Sequence, residues 1–591
     1  MLAPSVGLLK VWPLPQAITA GITLFCIASG IFLTFLARRD NRFYFNPAVL
    51  FFILLSAILA LSVWWNAYTL EASWRWYLVS FIACLVWLAA SCEQKARDSA
   101  EFHRTLSTWL WLGCLVYAGL SLLQYYGVLN RLFAWAPPGG ARLEGVWGQP
   151  NLTSTMAWLG VLASAVVFSP GKRRGWFYGS LLVFGWVLAC AASRMSWLMA
   201  LGLLALVGVS GMARYRAVDA QSARRVLLRA TLATVCLLVV VPFINEPIRG
   251  ALSSVGWLAD GGVVALADRE AFQDSARLTE FSKLRPYLAE SSFTEMVLGV
   301  GPGNYPAFSY RADMGLPPEG LVAGTWLHSH NLYTMMLVEF GVVGLLLVLG
   351  FTGVLAVTAL RQPIDLPRLF SIGGLGLLFI HSNLEFPLWN LWFLALACLL
   401  MVNLFSVRWI EGDSPWLKPL LGTGVAFMMV ALLVNVGSQY VRMTEVAMKP
   451  DKSPEDLQNL SFLANDSLMG PYAILRKYRD FPPEASNLDW QLREVRRMKA
   501  WQPRDLVILR EFSLLVLQGD IEQACEVARA SAYRYPYSAP IMLDHSVLAN
   551  RLSVSDIGQL ADCIEQGLEP RGETLATMQK KNEQKLRRGS L

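Results

Sequence analysis

Three of the chain's five histidines fall in two short motifs. His328 and His330 stand in T-W-L-H-S-H-N-L-Y, and His381 stands in H-S-N-L-E-F-P-L-W. Imidazole is the side chain best suited to take up or release a proton near neutral pH. Both motifs lie at the edges of apolar segments, which points to polar chemistry at a membrane face. A lone interfacial histidine usually does no more than satisfy a hydrogen bond. Here two stand two residues apart, and the third falls at the same expected face. His381 and Glu385 are spaced i and i+4, so on a helix they share a face. The carboxylate could then orient the imidazole and fix its tautomer. His-x-His with a further His and Glu could also bind zinc. But His-x-x-x-Glu is not a zinc signature and no Cys or Asp joins it, so neither metal nor other cofactor is expected.

Three arginines accompany the histidines. Arg194 lies in A-A-S-R-M-S-W between two short apolar runs, Arg277 in S-A-R-L-T-E-F, and Arg142 just before G-V-W-G-Q-P-N (145–151). The guanidinium fork donates paired hydrogen bonds to phosphate. Several arginines on one face beside histidines suggest a phosphate-bearing substrate. The plainer reading of each is an arginine snorkelling to the interface, least apt for Arg194, which apolar segments hem in. G-V-G-P-G (299–303) has no strand–helix context and no Lys-Ser/Thr, so it is not a P-loop but a shaping turn. Energy for any transfer must then come from an activated substrate.

The elements that position these residues are mostly apolar. The chain has 591 residues, 55% hydrophobic, with a formal net charge of +7 and a mean hydropathy of +0.42. Soluble domains are roughly 45–50% apolar. About twelve runs approach the roughly 20 residues a spanning helix needs: 17–36, 47–65, 75–91, 106–126, 152–168, 175–192, 195–213, 226–244, 331–358, 369–386, 389–407 and 418–436. The expected fold is therefore all-α and polytopic. Its basic residues cluster in short loops: Arg38, Arg39 and Arg42; Lys95 and Arg97; Lys172, Arg173 and Arg174; Arg214, Arg216, Arg224, Arg225 and Arg229. Such clusters mark the cytoplasmic side and are not a nucleic-acid footprint. Counting spans from them puts 127–151, 245–330, His381 and the tail outside, and the N-terminus too.

Residues 1–440 are expected to form the membrane core, with 245–330 as a long external loop, and 441–591 a soluble helical tail. The helix after the loop is expected to begin near His330–Asn331, capped by Asn331 or Ser329. In the tail, 514–536 carries a Gly-Asp turn, a small-residue face and a terminal Pro, which resembles a tetratricopeptide-type helix pair; 455–480 reads as a degenerate neighbour. Such a scaffold suits a protein partner. Cys525 and Cys563 either bridge in an oxidising compartment or stay as buried thiols. No cleavable signal peptide is seen.

H-S-H-N-L-Y-T-M-M-L-V-E-F-G-V-V-G (328–344) is similar to the histidine motif of the O-antigen ligase and polymerase superfamily. H-S-N-L-E-F-P-L-W (381–389), G-Q-P-N (148–151) and the soluble tail resemble the bacterial protein O-oligosaccharyltransferases of the PglL/PilO type. The resemblance covers roughly 140–400 and, loosely, the tail. It implies a metal-independent GT-C-type glycosyltransferase of the inner membrane, active on the periplasmic side. The donor would be a glycan on undecaprenyl pyrophosphate and the acceptor a Ser or Thr hydroxyl of a periplasmic or pilin-like protein. His330 falls on the family's essential histidine. Arg194 and Arg277 fall on its pyrophosphate-binding arginines, with Phe281 where a Trp is usual. Arg142, Gln149, Asn151, His328, Asn331 and Glu339 are expected around the donor, and His381 and Glu385 beside His330 in catalysis. An O-antigen ligase acting on lipid A-core, or a polysaccharide polymerase, would use the same chemistry on another acceptor. A transporter also fits twelve spans, but no pair of Gly/Pro-broken spans recurs in matching halves.

Overall fold

A computed structural model describes residues 17–587 except 37–41, 66–72, 134–139, 169–172, 213, 214, 216, 219, 259–279, 314–325, 362, 413, 415, 481 and 545–551. Arg277, Arg38, Arg39, Lys172, Arg214, Arg216 and the first 16 residues lie outside the described residues.

Each of the twelve apolar runs coincides with a helix: α1 (Ala17–Leu36), α2 (Pro47–Trp65), α3 (Ser73–Arg97), α4 (Ser99–Tyr125), α5 (Pro150–Val167), α6 (Arg174–Ala191), α7 (Met195–Gly211), α8 (Gln221–Ser254), α9 (Leu332–Leu360), α10 (Leu366–Ser382), α11 (Leu391–Leu404) and α12 (Leu417–Met448). Nine of these, among the described residues, are long and apolar enough to cross a membrane; α7, α10 and α11 are shorter. Inside a bilayer a helix is the natural form for such runs, because it satisfies every backbone polar group within the segment. α5 is the most enclosed and α12 the least.

The all-α expectation holds, with one small two-stranded ribbon added. Arg42–Phe45 (β1) pairs antiparallel with Arg408–Glu411 (β2), joining two loops far apart in sequence. Arg42 lies over the Trp409 ring at 4.4 Å. On the same face Lys95 Nζ donates to the carbonyls of Val402, Asn403 and Phe405 at 2.8–2.9 Å, a cation on the open end of α11. Buried Lys418 pairs with Glu93 at 3.0 Å, and Ile364 N donates to Tyr215 O. These contacts tie Arg42 and Lys95 to the end of α11 and the strand after it. Elsewhere, Trp257 Nε1 donates to Tyr126 O at 2.8 Å, and Ser62 Oγ to Leu298 O at 3.2 Å. The loop between α8 and α9 begins after Ser254 and not at 245, because α8 continues through Pro242 and Pro247.

The helix behind the first histidine motif is broken. Gly341 inside α9 has φ 66° and ψ −166°, a conformation that glycine adopts without steric cost. The G-V-G-P-G turn docks on the break: Val300 N donates to Val338 O at 2.8 Å, and Gly301 N to Glu339 O at 3.2 Å. A Cβ on Gly341 would lie 2.2 Å from Val297 O. Gly341→Ala is therefore expected to cost more than the roughly 1–3 kcal/mol of the backbone strain alone. The check is a lower thermal midpoint together with faster proteolytic cutting in the loop between α8 and α9.

The described tail contains α13 (Pro454–Asp466), α14 (Gly470–Asp480), α15 (Leu488–Trp501), α16 (Asp505–Gln518), α17 (Ile521–Arg534), α18 (Val554–Leu568) and α19 (Leu575–Arg587), with a further short helix over Ala539–Asp544. Met443 and Val446 at the end of α12 enter the tail's apolar core, so the last apolar helix passes into the tail without a linker. Gly519 (φ 83°) ends α16, and Asp520 caps α17 by accepting from Gln523 N at 3.0 Å. Cys525 on α17 and Cys563 on α18 form a disulfide across 38 residues. Closing a loop of that length stabilises by roughly 3–4 kcal/mol in the chain-entropy picture. The double variant Cys525→Ser/Cys563→Ser should lower the tail's melting temperature under non-reducing conditions and should abolish its response to dithiothreitol.

Candidate active site

Asn331 caps α9, its Oδ1 accepting from Thr334 N at 3.0 Å. His330, one residue earlier, has φ 56°. That left-handed backbone is uncommon for a residue other than glycine and costs energy that the surroundings must meet. Ser329 does so: its hydroxyl donates to Asn331 O at 2.7 Å and accepts from Asn331 N at 3.3 Å, bracketing His330. Asn331 Nδ2 also donates to Asn383 Oδ1 at 3.1 Å, which ties the two histidine motifs together.

His330 Nδ1 lies 3.0 Å from Glu385 Oε2. The approach is close but off the N–H axis, as catalytic hydrogen bonds often are before substrate binds. Glu385 is the hub of the site. Its Oε1 accepts from Asn151 Nδ2 at 2.8 Å, and its Oε2 accepts a long 3.5 Å bond from Gln149 Nε2. Asn151 Oδ1 in turn accepts from Ser193 Oγ at 2.7 Å. G-Q-P-N places these amides at the start of α5, with Gln149 at the N-cap and Pro150 in the first turn. Four segments remote in sequence thus meet in one polar line: 330, 385, 149–151 and 193.

Arg194 follows Ser193 and stands half-buried at the N-cap of α7. The turn before it is tight, with Ala192 at φ 46°. Arg142 holds that turn: Nη2 donates to Ala191 O at 2.9 Å and Ala192 O at 3.3 Å, and Nε to Ala191 O at 3.2 Å. Arg142, expected at the donor, thus also braces the carbonyls that end α6.

The expected His381–Glu385 helix pairing is corrected in part: α10 ends at Ser382 and Glu385 follows in a turn, its N–H still donating to His381 O at 2.8 Å. Glu385 points to His330. His381 is fully buried, with Nδ1 2.7 Å from Thr155 Oγ1; it braces α10 against α5. Glu339 is fully buried as well. It accepts from Tyr77 OH at 2.8 Å and Tyr305 N at 3.4 Å, while Trp389 Nε1 donates to Tyr77 OH at 2.9 Å. Its place is between α9, α3 and the loop that precedes α9.

His328 packs on Phe386 and lies 4.2 Å from the His330 ring, centroid to centroid. Burial, then the neighbouring His330, push its pKa down to about 2, so it stays neutral at any working pH. Trp326 meets the His330 ring edge-on at 4.5 Å. Ser193, Asn383 and Trp326 were not singled out by sequence reasoning. All three stood inside the quoted motifs, but only their titratable neighbours drew the eye.

An apolar cavity of about 260 Å³ opens beside Ser382, Leu388 and Trp389 and runs between α2, α3, α9 and α10, past Phe81, Met336 and Phe340.

These features define a multi-pass, all-helical membrane protein with an imidazole–carboxylate pair where four segments remote in sequence meet. Residues 178–349 match the family described as O-antigen ligase, and residues 369–542 match the one described as virulence factor membrane-bound polymerase, C-terminal. The first match contains Arg194 and His330; the second contains His381, Glu385 and much of the tail. Members of the first family are membrane glycosyl-transfer enzymes. No curated protein matches the chain.

Proposed function

We propose that this chain transfers a preassembled oligosaccharide from undecaprenyl pyrophosphate to Ser or Thr hydroxyls of periplasmic or pilin-like proteins. The observation that carries the reading is the line from His330 through Glu385 and Asn151 to Ser193, next to Arg194. A neutral imidazole takes the hydroxyl proton as the oxygen attacks the anomeric carbon. Glu385 holds the His330 Nδ1 side, which leaves Nε2 as the base, and steadies the imidazolium that forms. Asn151 and Gln149 hold Glu385 in turn. The pyrophosphate leaves with growing negative charge, which Arg194 and Arg277 stabilise. One displacement inverts the anomeric centre. The apolar cavity beside Leu388 takes the near end of the lipid. The tail, read as a tetratricopeptide-like scaffold on the same side, presents the acceptor.

The descriptions of the matched families favour a second reading of the acceptor, in which the glycan passes to lipid A-core or to another lipid-linked glycan. Co-expression with a labelled lipid-linked glycan separates the readings. A mobility shift of a pilin-like protein supports the first. Labelled lipopolysaccharide or a ladder of extended glycan, with unmodified pilin, would replace it.

A further inference from the structure

A cavity of about 540 Å³ lies away from the site, between α1, α3, α4 and α11. That is within the roughly 300–1,000 Å³ of small-molecule sites. α1 and α4 line its two sides, with α3 and α11 between them. Its end on the basic-loop face is polar, with Gln94, Arg97 and Glu101 in the lining. Gln94 Nε2 donates to Thr34 Oγ1 at 2.8 Å, fixing that rim. Toward the opposite face the lining turns apolar, with Trp87, Leu396 and Trp392.

The dimensions suit one leaflet. Along α1 the lining runs from Thr34 back to Thr23, roughly 16 Å at helical rise, or about half of a bilayer's hydrocarbon core of roughly 30 Å. Gly30 keeps the space: a Cβ there would come 2.8 Å from the Trp87 ring and push it aside.

The charges at the rim are of both signs. Asp98 is committed to the start of α4, accepting from Glu101 N at 2.8 Å. Arg97 and Glu101 remain as an exposed cation and anion at the mouth. We propose that this groove holds one phosphatidylethanolamine from the leaflet on the basic-loop side. Arg97 takes the phosphate through its planar fork, Glu101 accepts from the ammonium, and an acyl chain lies along Trp87 and Leu396. A choline head has no N–H to donate to Glu101. A glycerol head brings no cation to it. The groove therefore selects phosphatidylethanolamine over both. This site stands apart from the transfer chemistry and does not depend on it.

The test is native mass spectrometry of the full chain released from nanodiscs holding equal amounts of phosphatidylethanolamine, phosphatidylglycerol and phosphatidylcholine. One phosphatidylethanolamine should stay bound, preferred about tenfold over phosphatidylcholine, the scale of one charge-assisted hydrogen bond. Arg97→Gln/Glu101→Gln should erase the preference. Cys26→Trp, from an exposed position on the groove wall, should reduce retention of all three lipids while helix content by circular dichroism is unchanged. Equal retention of the three lipids by the unaltered protein would mean annular lipid only and would overturn the proposal. So would a preference that survives Arg97→Gln/Glu101→Gln.

Discussion

His330→Ala is expected to slow glycan transfer by roughly 10²–10⁴-fold, the usual contribution of a positioned general base, while the lipid-linked donor still binds within about twofold. The split follows from where His330 sits. Its ring meets Glu385, His328 and Trp326, whereas Arg194 belongs to another segment, next to Ser193 at the far end of the polar line. Alanine at φ 56° carries backbone strain of its own, so one variant cannot separate lost chemistry from a distorted turn. His330→Asn can, because asparagine tolerates the left-handed region and leaves the Ser329–Asn331 bracket in place. Both variants should lose the rate alike. Transfer restored by asparagine would mean that the turn matters and the imidazole does not. Glu385→Gln should lower the rate less, since the amide can still pack against Asn151 but no longer steadies an imidazolium.

Arg194→Ala should lower turnover by about 10²–10³-fold, as loss of one fixed charge-stabilising group commonly does. Arg194→Lys keeps the charge but loses the fork, and should weaken donor binding with a smaller fall in turnover. The discriminating readout compares donors bearing a lipid pyrophosphate with analogues bearing a lipid monophosphate. The unaltered protein should prefer the pyrophosphate, and the Arg194 variants should lose much of that preference. Unchanged donor affinity in both variants would remove Arg194 from the site. Arg142→Ala should act differently. By releasing the carbonyls of Ala191 and Ala192 it should loosen the turn and lower thermal stability as well as rate.

Local pattern was the legible part of this chain. Apolar runs of spanning length became helices because nothing else satisfies their backbones in lipid, and Asn331 capped α9 because its side chain can accept from the first turn. What could not be read was pairing at long range. Spacing put His381 and Glu385 on one helix face, yet α10 ends at Ser382, ahead of Pro387, and the turn sends Glu385 to His330 instead. Asn151 and Ser193 reach the same carboxylate from α5 and the α6–α7 turn, and no periodicity encodes that meeting. The break at Gly341 was hidden too, since the apolar pattern runs straight through it. Only the docked G-V-G-P-G turn shows why glycine is needed on both sides. β1 and β2 are four residues each and pair across most of the chain, too short and too remote for pattern reading.

The most direct measurement is a single-turnover assay on the purified protein in nanodiscs, loaded with a lipid-pyrophosphate glycan and a serine-bearing acceptor, without nucleotide and with a chelator present. The account predicts that glycosylated acceptor and free lipid pyrophosphate appear together, in equal amounts, and that His330→Asn abolishes both. Glycan delivered to the acceptor without release of lipid pyrophosphate, or release that continues undiminished in the His330→Asn variant, would contradict it.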